Sequence, residues 1–202
     1  PTKAEIKSFL QSGFQVSKFK QAYGFKTLRT QDPAEVMRRI WAAPTFEVHG
    51  LVGGYHGPGV KTVVPGHGEL KVSMRLVPNQ TPEKAFALLK KHVAKLNPEV
   101  TVEREGMLHP FRGVFDGPYV DAVKRAVKAG FGKEPAFIRE GGSIGAVVTM
   151  QKAWKVPILF MGLSLPEHGY HAPNEYFDWG QASGGMKAFV HYFGELGKTG
   201  KT

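Results

Sequence analysis

A short apolar run that ends in a histidine-bearing loop constrains this chain more than any other feature. Residues 158–161 (Ile-Leu-Phe-Met) are all apolar, and the run stops at Gly162. A run of this kind, bounded by a turn residue, is typical of a short buried strand. The following loop carries His168 and His171 before Pro173 restricts the backbone to extended geometry. Because loops at strand ends are where α/β proteins place their chemistry, we predict that a rigid strand delivers imidazoles to an accessible site.

The first half of the chain predicts a compact α+β unit. Three capping patterns, at Thr2, Asp32 and Thr81, mark helix starts. Residues 14–31 are aromatic and basic without clean periodicity, and we assign them no structure. The remaining pattern predicts helices over residues 3–12 and 33–41 and from residue 81, and strands over residues 45–52, 69–77 and 99–105.

After Gly106 the pattern changes to an alternation of helix-like and strand-like segments. Alternation of this kind predicts a parallel or mixed sheet with helices packed on it, which is an α/β fold. We therefore place a domain boundary near residues 106–116. The predicted helices cover residues 119–129, 144–154 and 179–196, and the predicted strands cover residues 136–139 and 156–161.

The charge and the residue types narrow the classes of function. A net charge of +10 can indicate nucleic-acid binding, but the basic residues are scattered over presumed helix faces without interleaved aromatics, which favours a solvated surface. The chain has no cysteine, so any zinc-like site must use His, Asp or Glu. It has neither an apolar run of about 18 residues nor a charged-then-apolar leader. We therefore expect a cytoplasmic protein with no membrane and no nucleic-acid partner.

Taken alone, a candidate site residue can have either a functional role or an ordinary structural one. His171 is either a metal ligand or a loop imidazole without one, because a usable site needs three or four ligands. Arg75, on the polar face of a predicted strand, either grips a carboxylate bidentately or is an ordinary surface arginine. The glycines of residues 139–143 would let backbone N–H groups approach an anion. Ser143 lacks a Gly-x-Ser-x-Gly elbow, so we do not predict a nucleophile there.

Five segments in order along the chain resemble the two-metal aminoacylase, carboxypeptidase and carnosinase-type dipeptidase family. The resemblance implies a ferredoxin-like lid (dimerisation) domain at residues 1–106, incomplete at its start, followed by the C-terminal part of an α/β metallopeptidase catalytic domain at residues 107–202. The chain departs from the pattern at Gly145, where relatives usually carry proline, which loosens that turn. The segments are those around His49 (Val-His-Gly-Leu), Arg75 (Ser-Met-Arg-Leu-Val-Pro), His109 (Met-Leu-His-Pro), Arg139 (Arg-Glu-Gly-Gly-Ser-Ile) and His171 (His-Ala-Pro-Asn-Glu).

The resemblance also implies a role for six residues. His171 would bind a metal ion, and His109 would be the catalytic residue that steadies the oxyanion. His168 matches no ligand and would lie behind the site or face solvent. The substrate, chiefly its carboxylate, would be bound by Arg75, Thr62, Gly142 and Ser143. The implied reaction is hydrolysis of an amide or peptide bond next to a free carboxylate, as in dipeptidases, carboxypeptidases and N-acyl-amino-acid hydrolases.

The acidic half of that family's metal site has no counterpart in this sequence, which contains neither a His-x-Asp segment nor an adjacent Glu-Glu pair. The resemblance implies two divalent metal ions in the intact enzyme, zinc or alternatively manganese or cobalt, and at most one weakly held ion in this chain. We therefore expect the chain to be inactive alone, and its parent to be a homodimer that acts on small peptides or N-acyl amino acids. A non-catalytic binding or dimerisation module of the same family and a nucleic-acid-binding protein are the alternatives.

Overall fold

A computed structural model describes residues 1–140 and 144–199. It contains both helices and strands, so the predicted class, α/β with α+β, is confirmed. None of the described helices is long and apolar enough to cross a bilayer. In chain order the elements are α1 Lys3–Leu10, α2 Val16–Ala22, α3 Pro33–Ala42, β1 Glu47–Gly53, β2 Gly68–Ser73, α4 Pro82–Leu96, α5 Pro118–Phe131, α6 Gly145–Trp154, a 3₁₀ turn Pro166–His168, and α7 Trp179–Thr199.

The chain forms two compact units whose limits differ from the predicted domain limits. Residues 1–41 and 112–202 form one, which we call the discontinuous unit, and residues 42–111 form the other, the continuous unit. The predicted change near residue 106 lies close to the second junction. The first 41 residues pack with the carboxyl-terminal part of the chain, because Glu5 pairs with Arg112 and Arg139 and α2 contacts the 3₁₀ turn, and their assignment to the lid stays a prediction.

Side-chain caps explain where the early helices begin. Thr2 and Glu5 form a complete capping box on α1, in which the Glu5 N–H donates to Thr2 Oγ1 at 3.2 Å and the Thr2 N–H donates to Glu5 Oε2 at 2.7 Å. Asp32 accepts hydrogen bonds from two backbone amides at the start of α3, and Thr81 caps α4 ahead of Pro82. All three predicted helix starts are therefore confirmed.

The core of the discontinuous unit lies where α5 and α7 cross. The two helices approach so closely that a Cβ added at Gly184 would collide with the Phe131 ring, and one added at Gly130 would collide with the Gly184 carbonyl oxygen. Small side chains that are inaccessible to solvent surround the crossing, namely Val120, Ala122, Ala126 and Ala188. This packing fixes the start of α7, which directly follows residues 165–178, the segment with His168 and His171 that we call the histidine loop.

An aromatic cluster fills the amino-terminal part of the same unit and includes the region that received no sequence assignment. Phe14 packs on Trp41 at 5.8 Å between ring centroids and on Phe19 at 5.5 Å. Phe19 belongs to α2 and continues the cluster to Tyr23 at 5.0 Å. The helix was missed because Phe19, its one aromatic residue, packs on rings outside the helix and leaves no regular apolar stripe.

The continuous unit is built on a two-stranded antiparallel sheet. β1 pairs with β2 from Glu47 opposite Ser73 to Gly53 opposite Gly68, with an irregularity between Val48 and Gly50. An apolar groove lies between the sheet region and α4, and its lining includes Phe46, Met74, Leu76, Leu88 and Leu89. The alternating pattern that predicted these two strands is therefore confirmed.

Three other predicted strands are wrong for the described part of the chain. Residues 99–105, 136–139 and 156–161 lie outside any helix or strand, and the expected buried run is partly exposed, with Val156 46% and Phe160 56% accessible. A strand requires a neighbour for its backbone hydrogen bonds, and within the described residues β1 and β2 pair only with each other. An apolar pattern along one segment carries no information about such a partner.

Candidate functional site

The loop between Gly162 and α7 presents His171 on the surface of the discontinuous unit. His171 is solvent-exposed and adopts φ 65°, a left-handed conformation that is uncommon for a residue with a Cβ. Its backbone N–H donates to Glu175 Oε2 at 3.3 Å, and its ring meets the Tyr170 ring edge-on at 5.8 Å. The imidazole is therefore accessible, as the sequence predicted, although the described residues directly before the loop form no strand.

His168 lies in the same loop and is the one buried polar side chain in the described part of the chain, with 1% exposure. The Leu165 N–H donates to its Nδ1 at 3.1 Å, so Nδ1 is an acceptor and Nε2 carries the proton. Nε2 donates to Asp178 Oδ2 at 2.8 Å. The ring also packs against Tyr176 and Phe177. The expectation that His168 faces solvent is therefore wrong, and the alternative, a position behind the site, stays a prediction.

Asp178 links this loop to α7. Its Oδ1 accepts the Gln181 N–H at 2.9 Å, and this bond, together with the His168 bond, holds the pKa of the Asp178 carboxyl below its ordinary value. A carboxylate at a helix start also interacts favourably with the positive end of the helix dipole. Asp178 thus joins the buried imidazole to the amino terminus of the long helix.

Tyr23 extends the aromatic cluster to the residue next to His171. The hydroxyl groups of Tyr23 and Tyr170 are 2.9 Å apart, and this hydrogen bond, with burial, raises the pKa of Tyr170. Tyr23 also stacks on Phe25 at 5.8 Å with the ring planes 17° apart. The segment without a sequence assignment therefore forms one wall of the histidine loop.

The Arg139 segment is held by an ionic cluster. Glu5 Oε1 accepts hydrogen bonds from Arg112 at 3.0 Å and from Arg139, and the Arg139 guanidinium lies 5.6 Å from the Phe9 ring centroid. The Thr2 backbone N–H, reinforced by Arg139, lowers the pKa of Glu5. Gly142 and Ser143, the predicted substrate-binding turn, lie outside the described residues, so their roles stay predictions.

The other predicted site residues belong to the continuous unit. Arg75 follows β2, and its backbone exchanges hydrogen bonds with Thr45. Thr62 is exposed in the long glycine-rich loop between the strands. His109 Nε2 lies 3.6 Å from Glu83 Oε1 at the start of α4, and both side chains are about half exposed. The substrate-binding roles of Arg75 and Thr62 and the catalytic role of His109 stay predictions.

The described residues do not by themselves match a two-metal site. They include no group of three or more His, Cys, Asp or Glu side chains that could hold an ion. Asp178 is the last residue of the loop. One of its carboxylate oxygens accepts from His168 and the other accepts from the Gln181 N–H. His171 thus offers one imidazole, and metal binding by this residue stays a prediction.

Comparisons with known proteins give a consistent likeness over almost the whole chain. The model of the peptidase dimerisation domain matches residues 6–101. Among curated proteins, the Cys-Gly metallodipeptidase dug1 of Schizosaccharomyces pombe is 31% identical over 189 residues, which cover 91% of this chain and 40% of that protein. The human Beta-Ala-His dipeptidase is 26% identical over 201 residues, covering 96% of this chain and 40% of that protein.

Solved structures give the same result. Human carnosine dipeptidase 1 superposes with a TM-score of 0.86 at 25% identity, over 98% of this chain and 43% of that one. The M20 family metallo-carboxypeptidase Sso-CP2 from Sulfolobus solfataricus superposes with a TM-score of 0.82 at 28% identity, over 95% of this chain and 44% of that one. The chain therefore spans about 40% of the length of the curated relatives that it matches.

Proposed function

Because this chain belongs to the M20 metallopeptidase family, we propose that it supplies the lid and the carboxyl-terminal catalytic part of a metal-dependent hydrolase. The proposed reaction is cleavage of an amide or peptide bond next to a free carboxylate. The observation that carries this proposal is the likeness, over 90% or more of this chain, to proteins named as metallodipeptidases and a metallo-carboxypeptidase. The exposed imidazole of His171 in the histidine loop supports it.

The proposed roles follow the sequence motifs. His171 would be a ligand of one divalent metal ion, and a metal pair in the intact enzyme would supply the activated water. Arg75, with a guanidinium suited to bidentate carboxylate binding, would hold the free carboxylate of the substrate. Thr62 and the turn at Gly142 and Ser143 would complete that subsite, and His109 would stabilise the oxyanion.

We propose that the chain is inactive without further acidic ligands. The sequence has no His-x-Asp segment and no Glu-Glu pair, and the described residues include no cluster of three metal-binding side chains. A catalytic divalent site needs several ligands held at once. The two metal ions would therefore require residues beyond those of this chain.

We also assign the two compact units to the two parts of the hydrolase. The continuous unit, residues 42–111, would be the core of the lid, and residues 112–202 would belong to the catalytic domain. Residues 1–41 pack with the second group, although the dimerisation-domain model matches them from residue 6. Since the matched family model describes a dimerisation domain, the lid would join two copies of the complete protein. Its substrates would be small peptides or N-acyl amino acids.

Hydrolysis assays test the catalytic proposal. We expect this chain alone to cleave neither Cys-Gly nor β-Ala-His with zinc or manganese, whereas the product of the complete open reading frame cleaves at least one of them. His171→Ala in that product should lower kcat/KM by more than about 100-fold, because even outer partners of a metal ligand contribute about 10–100-fold. The matched control is His191→Ala, an exposed histidine on α7. Full activity of the H171A variant would contradict the proposal.

A dimerisation module without catalytic activity is the second candidate. It is favoured by the family model that matches residues 6–101, which describes dimerisation. This candidate predicts that the complete product forms a dimer in sedimentation experiments and hydrolyses no dipeptide at any metal concentration. The hydrolase proposal predicts a dimer that is also active.

A further inference from the structure

We infer that His168 is a positioning residue that holds the histidine loop, residues 165–178, in the conformation that presents His171. The inference about loop geometry stands on the structure, and its catalytic consequence rests on the proposed function. His168 lies three residues before His171, is almost completely buried, and faces the two ends of the loop.

Both ring nitrogens of His168 are used, and their partners are far apart in sequence. Nδ1 accepts from the Leu165 N–H at 3.1 Å, at the beginning of the loop, and lies 3.4 Å from Ser164 Oγ. Nε2 donates to Asp178 at 2.8 Å, at the end of the loop. One neutral imidazole therefore ties the two ends together, and Asp178 connects them to α7 through the Gln181 N–H.

The backbone and the ring of His168 add to this closure. Its carbonyl accepts the Tyr176 N–H at 3.1 Å. The imidazole packs against the Tyr176 ring at 5.0 Å and edge-on against the Phe177 ring at 5.6 Å. The returning arm of the loop is thus folded over the His168 ring by a hydrogen bond and by aromatic contacts.

The tip of the loop holds two residues in an unfavourable conformation. His171 and Asn174 have φ 65° and 63°, and left-handed backbone is disfavoured for residues with a Cβ. Such conformations persist where the surrounding structure determines them. Within the tip, the Ala172 N–H donates to the Gly169 carbonyl at 2.9 Å and the His171 N–H donates to Glu175 Oε2 at 3.3 Å. These bonds join residues of the tip to one another, whereas the buried closure at His168 ties the two ends of the loop together and can maintain the strained tip.

The primary test measures the loop geometry in this chain, without metal or substrate. A strong intraresidue NOE between the amide and α protons reports positive φ at His171 and at Asn174. We expect His168→Ala to abolish this signature at both residues, while the NOEs of α5 and α7 are retained. His168→Gln keeps a nitrogen able to reach Asp178 and should restore the signature in part. Retention of positive φ in H168A would overturn the inference.

Two further variants guard against a general loss of folding. Asp178→Asn leaves one acceptor oxygen for the two donors that Asp178 now serves, and should weaken the signature without removing a buried ring. His191→Gln, at an exposed position of α7, should change nothing. If H168A does not fold, H168Q and D178N decide, and an unchanged tip in both overturns the inference.

Activity of the complete product tests the catalytic consequence separately. If the proposed function holds, we expect H168A to lower kcat/KM for a dipeptide by about 10–100-fold, the range measured for residues that orient metal ligands, and H168Q to recover part of the loss. Unchanged kcat/KM in an H168A protein that has lost the positive φ at His171 would overturn the catalytic consequence. If the product cleaves no dipeptide, the proposed function fails while the NMR result on the loop still stands.

Discussion

At the scale of single residues, one carboxylate on α3 gathers two cations. Glu35 Oε2 accepts from Arg38 Nε at 2.6 Å, and Glu35 Oε1 accepts from Arg39 Nε at 2.8 Å. The Arg38 hydrogen bonds, with those of Arg39, lower the pKa of Glu35 from 4.5 to about 2. These i,i+3 and i,i+4 pairs support the helix whose residues Val36 and Met37 enter the core.

This depressed pKa predicts a pH-dependent effect of Glu35→Gln. The ionised form is favoured in the folded protein, so the stabilisation is fully present above pH 4.5 and is lost as the pH falls towards 2. We expect the E35Q variant to be less stable than wild type at neutral pH, with a difference that shrinks through that window. Urea denaturation followed by circular dichroism at several pH values measures it. A difference independent of pH would contradict the assignment.

The residues of the histidine loop show what sequence can and cannot locate. His171 was found because it stands in a recognisable motif and is exposed, whereas the buried state of His168 depends on Asp178 and Tyr176, which reach it only in the folded loop. One signal for the contact was present, since Asp178 immediately precedes the first residue of α7, a favoured capping position. The sequence therefore indicates that Asp178 caps α7, but it does not indicate that the same carboxylate also accepts a hydrogen bond from His168.

At the scale of secondary-structure elements, helices were predictable and most strands were not. A helix satisfies its own backbone and is marked by caps, as at Thr2, Asp32 and Thr81, so local sequence specifies it. A strand needs a neighbour, and residues 156–161 pair with none in the described part of the chain. The α2 helix was missed for a related reason, because Phe19, its one aromatic side chain, packs on residues outside the helix.

The crossing of α5 and α7 predicts opposite effects for two glycine substitutions in one helix. Gly184→Ala should destabilise the protein by about 1–3 kcal/mol, because the new methyl group would overlap the Phe131 ring. Gly194→Ala is the matched control, since no atom lies within 4 Å of the position of its Cβ, and alanine there should stabilise the helix by about 0.5–1 kcal/mol. Urea denaturation of both variants tests the crossing, and effects of the same sign would contradict it.

At the scale of the whole molecule, the discontinuous unit leaves much apolar surface accessible. α7 contributes Phe189, Tyr192 and Leu196 to a groove that also includes Val123 and Leu159. A separate stripe on the same helix consists of Met186, Val190 and Phe193, spaced to lie on one helical face and 55%, 73% and 67% exposed. Contiguous exposed apolar patches on soluble proteins commonly mark contact surfaces.

This stripe predicts that the chain self-associates in solution despite a net charge of +10, which opposes association through repulsion. Phe193→Lys should lower the average mass in sedimentation as far as the dimer formed through the lid, and reduce binding of a hydrophobic dye. His191→Lys adds the same charge to the neighbouring, exposed position while leaving the stripe intact, so it separates loss of apolar contact from added repulsion. If the two variants dissociate the chain equally, repulsion alone accounts for the change. If only F193K does so, the apolar face of α7 is the surface through which copies of the chain associate.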